Sequence, residues 1–204
     1  MTSDIYRFLY YYLAKGIKKL FNMSLENLFA QLDGQLTGEE AKLPPVEMWD
    51  PEYCGEMDLI IKANGEWFYN GTPFKRLRLV KLLASVLKKE NDDYFLVTPV
   101  EKIKINVEDA PFVLTQWQWQ DESHQRMMVA THLGDEFILG KEHPVMLNEH
   151  DEPYVIVRRN LQAKVHRNVY YQWLEQATEQ HTSDSTALVI KSDGVQFVIG
   201  RYQE

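Results

Sequence analysis

Residues 58–70, Asp-Leu-Ile-Ile-Lys-Ala-Asn-Gly-Glu-Trp-Phe-Tyr-Asn, leave the backbone few choices. Leu59, Ile61 and Ala63 alternate with Asp58, Ile60 and Lys62, the period of a strand with one buried face. Asn64-Gly65 tolerates positive φ at both positions, so the spacing predicts a two-residue type I′ hairpin returning through Trp67, Phe68 and Tyr69. A chain that opens its body this way is building an antiparallel sheet.

The remainder of the chain agrees with that start. Residues 71–92 read as a helix, with Thr72 as cap, Pro73 in the first turn, and a stripe of Leu79, Leu82, Leu83, Val86 and Leu87. Tyr94–Val97 then reads as a strand. Ile103, Ile105 and Val107 alternate with Lys102, Lys104 and Asn106 between two corners, Thr98-Pro99-Val100-Glu101 and Glu108-Asp109-Ala110-Pro111-Phe112. Further on, Thr115, Trp117 and Trp119 alternate with glutamines, and 154–165 is extended. A helical stripe of Val169, Tyr170, Trp173, Leu174 and Ala177 comes next, and Asp193-Gly194 marks a final hairpin. Each half runs from strands to one helix and back to strands. The expected class is α+β, with two structurally similar halves, 45–113 and 114–204, each made of antiparallel strands plus one helix.

Residues 1–44 form an N-terminal helical extension and linker. Ile5, Phe8, Leu9, Tyr12, Leu13, Ile17 and Leu20 make an amphipathic stripe that charge keeps from spanning a bilayer. It has three readings: packing on the body or a partner, lying on a membrane surface, or preceding a true start at Met23. Leu25, Leu28, Phe29 and Leu32 stripe a second short helix.

Charge and cysteine content narrow the function. With 22 basic and 30 acidic residues the net charge is −8. Residues 1–22 carry +3, so the rest carries −11, which disfavours general nucleic-acid binding. The single Cys54 excludes an intramolecular disulfide and fits a reducing, cytoplasmic setting. Nucleophile motifs and phosphate-cradling glycine loops are absent, and no cofactor is implied. The six histidines show no H-x-x-x-H spacing. His143 and His150, in a loop with Glu149 and Asp151, come nearest to a ligand set, and no metal is expected there.

The polar candidates are few. Glu101, Glu108 and Asp109 are either an acid/base or cation-binding cluster or the side chains that fix two bends. Arg76 falls in a helix's first turn, where a cation wants a carboxylate or a bound anion. Glu101 or Asp109 is the first choice of partner, and a ligand phosphate or carboxylate the second. Of Arg158 and Arg159 at a strand end, alternation sends one to solvent and the other towards the junction of the halves. Trp117 and Trp119 share a face, for core packing or for stacking a ring.

Asp58, Asn64-Gly65-x-Trp67, Pro73, Arg76, Thr98-Pro99-Val100-Glu101-Lys102 and Glu108-Asp109-Ala110-Pro111-Phe112 together resemble the bacterial domain-of-unknown-function family 1285 over about residues 50–160. The resemblance implies a duplicated α+β core and a second half superficially like pleckstrin-homology sheets. It also implies a ligand site between the halves and a link to signal transduction, without an enzyme activity. The expectation is a protein that binds a small molecule or a partner's segment between its halves, with Arg76, Glu101, Lys102, Asp109, Trp117 and Arg158 nearby. The alternative is a hydrolase built on Glu101 and Asp109.

Overall fold

The computed structural model describes residues 43–181 and 185–202. The expected helices of 1–22 and 23–34 lie outside the described residues. A 3-10 turn, Val46–Met48, precedes β1 (Tyr53–Ile61), β2 (Trp67–Tyr69), β3 (Thr72–Pro73), α1 (Leu77–Ser85), β4 (Leu87–Glu90), β5 (Asp93–Val97) and β6 (Lys102–Val107). The second half begins two residues ahead of the expected 113/114 boundary, with β7 (Phe112–Trp119), and continues through β8 (Met127–Thr131), β9 (Glu136–Ile138), β10 (Val145–Leu147), β11 (Pro153–Arg158) and β12 (Leu161–Val165). It ends with α2 (Arg167–Gln176), β13 (Thr178–His181), β14 (Thr186–Ser192) and β15 (Val195–Tyr202).

The duplication is carried by the strands. The first sheet has the order β3-β2-β1-β6-β5-β4, and the second, read from its far edge, has β9-β8-β7-β12-β11-β10. In both, two antiparallel meanders join through one parallel pair, β1 with β6 and β7 with β12. A parallel pair needs a crossover, and each half makes it between its third and fourth strands. In the first half the crossover contains α1. In the second it is a short loop, and α2 instead comes after the sixth strand and packs on β7 and β14. A third sheet, β13-β14-β15, closes against β10. The fold is α+β, as expected, and no helix among the described residues is long and apolar enough to cross a membrane.

Several local expectations are corrected. Asn64 does not take positive φ; only Gly65 does, at +86°. Gly65 N–H donates to Lys62 O, so the first hairpin turns through a type I turn closed by a left-handed glycine. The type I′ geometry falls at Asn70-Gly71 and Asp193-Gly194, where both residues have positive φ. The turn at Asn70-Gly71 sends Thr72–Pro73 back into the sheet as β3, so Thr72 is not a helix cap. Arg76 is the cap residue, and α1 ends at Ser85. Lys88 and Lys89 lie in β4, not in the helix.

One buried cluster runs through both halves. It joins Leu59, Ile61, Leu83, Leu96 and Ile103 of the first to Phe112, Leu114, Val157, Leu161 and Trp173 of the second. At ~25 cal/mol per Å² of apolar surface, a core this continuous ties the halves together more strongly than separate small cores would.

Gly65 is also where the halves touch closely. A Cβ there would sit 2.8 Å from His132 Nε2, and the backbone already has positive φ. Gly65→Ala is expected to cost about 2 kcal/mol, read as a lower urea midpoint at unchanged slope.

Candidate functional site

The two corner motifs that stand out in the sequence are built for structure. In Thr98-Pro99-Val100-Glu101, Thr98 is fully buried, and its Oγ1 accepts the Glu101 N–H at 3.0 Å while Thr98 N–H donates to Glu101 O at 2.9 Å. Glu101 is thus part of a closed turn at the start of β6. Glu108 accepts from Lys62 Nζ at 2.6 Å and Ala63 N–H at 3.1 Å, holding the first hairpin turn. Those bonds, Lys62 foremost, keep its carboxyl below the usual range. Asp109 accepts from Tyr154 Oη at 2.7 Å and Lys164 Nζ at 2.8 Å, pinning the inter-half link to β11 and β12. Burial, then Asp109, pushes Tyr154 up to about 12, so it stays a donor.

Glu101 and Asp109 flank opposite ends of β6, on the order of 20 Å apart at about 3.3 Å per strand residue. They form no acid/base dyad. Among the described residues no three His, Cys, Asp or Glu side chains gather to hold a metal. His143 Nδ1 lies 3.0 Å from Ile156 O and its ring lies against Phe137.

Arg158 and Arg159 depart from the sequence expectation because Arg159 is a turn residue with φ +54°, where strand alternation lapses. Both reach the first half. Arg158 donates to Asp135 Oδ1 at 2.5 Å and to Ala84 O at 3.0 Å, with its guanidinium 4.6 Å from the centre of the Phe112 ring. Arg159 donates to Leu87 O at 3.3 Å and Pro44 O at 2.8 Å, and Asn160 Nδ2 to Lys89 O at 3.0 Å. Elsewhere on the junction, His132 Nδ1 accepts the Val113 N–H and its Nε2 lies 3.0 Å from Gly65 O. The amide donor on Nδ1 places the proton on Nε2, where it serves Gly65.

The other sequence candidates fall elsewhere. Lys102 pairs with Glu90 and lies over the Phe95 ring at 4.6 Å, on the face of the first sheet. Trp117 donates to Gln172 Oε1 at 2.7 Å and meets Trp119 edge-on at 5.6 Å, wholly within the second half. The structure therefore brings Asp109 and Arg158 to the junction and leaves Arg76, Glu101, Lys102 and Trp117 away from one another's hydrogen-bonding reach. Tyr154, Lys164, His132 and Asn160 are junction groups that the sequence did not single out, since each becomes notable only through a partner far along the chain.

Of the three candidate cations, Arg76 is the one with no carboxylate within 4.0 Å among the described residues, a condition it shares with Lys81, Lys89, Lys141, Arg167 and Lys191 elsewhere. Lys62, Lys102, Lys104, Lys164, Arg158 and Arg159 each have a carboxylate within 4.0 Å. Among the described residues no carboxylate lies that close to Lys75, Arg76 or Arg78, and all three are exposed. Arg76 caps α1 without a side-chain bond, and the first turn holds no acid. Tyr69, Thr72, Pro73, Phe74, Lys75, Arg76 and Leu79 line a groove of about 280 Å³ between β3 and this helix start.

Both halves are similar to known proteins. The profile of the DUF1285 N-terminal domain, a domain of unknown function, matches residues 44–110, and that of the DUF1285 C-terminal domain matches 111–199. The crystal structure of a DUF1285 family protein from Silicibacter pomeroyi is similar at 31% identity and a TM-score of 0.69, covering 83% of this chain and 94% of that one. Another, from Shewanella baltica, is 32% identical with a TM-score of 0.49, covering 58% of this chain and 91% of that one. No curated protein matches significantly.

Burial holds the His132 pKa below its ordinary 6.5. Its contribution to stability is therefore complete above pH 6.5 and lost as pH falls through the depressed folded value. Asp135, the charged group facing the ring, softens the loss. Urea unfolding of wild type should fall off on acidification more steeply than that of His132→Gln. Separately, Arg76→Asp is expected to stabilise the chain by about 0.5–1 kcal/mol, because an aspartate at the cap accepts free N–H groups and suits the helix dipole. Thermal unfolding checks this.

Proposed function

We propose that this chain, which belongs to the DUF1285 family, is a non-enzymatic regulatory binding protein that recognises an anionic ligand or partner. One observation carries the reading. In a protein of net charge −8, three neighbouring cations at the positive end of a helix have no carboxylate partner among the described residues. That arrangement lowers stability unless an anion completes it. Arg76 stays the ligand-facing residue. Lys102, Asp109, Trp117 and Arg158 spend their side chains on contacts within the fold, which favours the start of α1 over the junction of the halves as the site. A hydrolase has no support in the separated carboxylates. The free, exposed Cys54 suits a reducing cytoplasm.

A thermal-shift panel tests this. Heparin and poly-glutamate, as generic polyanions, should raise Tm at low salt, with the effect lost at high salt and in Lys75→Glu/Arg76→Asp. A wild-type protein indifferent to every polyanion would remove the proposal.

A further inference from the structure

The groove beside Arg76 has more in it than charge. Its walls are Tyr69, Pro73, Phe74 and the aliphatic side of Leu79, and Lys75 and Arg76 stand on its rim. The neighbouring strand offers little backbone to a visitor. β3 is only Thr72–Pro73, and Pro73 has no N–H, so an added strand would gain almost no ladder.

These features decide between occupants. A small hydrophilic anion would meet the two rim cations but would gain nothing from an aromatic and aliphatic floor. An anionic bilayer is a broad surface, and its headgroup plane does not enter a concave groove between an edge strand and a helix. A side chain projecting from a polypeptide does, and about 280 Å³ accommodates a leucine or phenylalanine. Charge complementarity then requires carboxylates on either side of that anchor, to meet Lys75 and Arg76.

Resting on the anion-binding reading, we infer that the start of α1 is a docking site for an acidic segment of a partner protein that places one large apolar side chain between β3 and α1. Affinity comes from the buried anchor, and selectivity from the rim cations. The same cations are kept at the wrong end of a helix because the docked carboxylates offset them.

Fluorescence anisotropy on the full chain tests this with a labelled peptide of alternating aspartate and glutamate around one central leucine. A sister peptide carries serine at the centre. At low salt the leucine peptide should bind at least about tenfold more tightly than the serine peptide, the difference expected from burying one such side chain. Arg76→Asp and Lys75→Glu should each weaken it by about tenfold or more, while Arg76→Asp raises Tm, which excludes unfolding as the cause. Equal binding of the two peptides overturns the docking inference while leaving anion recognition intact. So does binding to phosphatidylserine vesicles with the same dependence on Lys75 and Arg76, or formation of a dimer that those variants abolish. Failure of both peptides, with heparin and poly-glutamate also inert, overturns this inference together with the reading beneath it.

Discussion

The structure depends on a three-residue run in the second half, Arg158-Arg159-Asn160, donating into the backbone of the first. The carbonyls it satisfies lie at the end of a helix and on the edge of a sheet. Ala84 O belongs to the last turn of α1, and Leu87 O and Lys89 O belong to β4, the outermost strand of its sheet. A sheet edge and a helix end are places where a small domain normally exposes polar backbone to water. Here one turn covers both. Arg158 is expensive to place, being 11% exposed with its Nε lacking a hydrogen-bond partner. Asp135, Ala84 O and the Phe112 ring offset that cost, so removing any of them isolates a buried charge. The junction of the halves is thus an interlock of donors and acceptors over a shared apolar core.

The duplicated strand order explains where function has room to differ. The two halves agree in the order of their six-stranded sheets and disagree at the crossover between third and fourth strands. In the second half that crossover is a short loop. In the first it is α1, which presents its start to solvent with Lys75, Arg76 and Arg78 uncovered. The corner between fifth and sixth strands has diverged as well. Thr98-Pro99-Val100-Glu101 closes on itself through the buried threonine, whereas Arg159-Asn160 reaches across to the neighbouring half. One corner keeps its own sheet in order and the other joins the two.

Local rules that act over a few residues were legible in the sequence. The alternation of Ile103 and Ile105 with Lys102 and Lys104, the Asp193-Gly194 hairpin and the apolar stripe of α2 all appear as expected. Local preference gave way where a tertiary pairing outweighed it. Thr72-Pro73 reads as a helix start, yet the tight turn before it returns the chain to β2. Leu87-Lys88-Lys89 continues a helical period, yet pairing with β5 makes it a strand. β10 and β13 are short or fully exposed, so neither carries an alternation strong enough to see. The candidate site was half legible. Arg76 was conspicuous for its place on a helix, but that the Asp109 carboxylate was already spent on Tyr154 and Lys164 could emerge only from the fold.

If the interlock makes the two halves one cooperative unit, they must unfold together. Fluorotryptophan NMR across a urea titration reports Trp67, buried in the first half, and Trp173, buried in the second, in one experiment. Both folded resonances should vanish with the same midpoint. Loss of the Trp67 signal while Trp173 keeps its native shift, or the reverse, would contradict it.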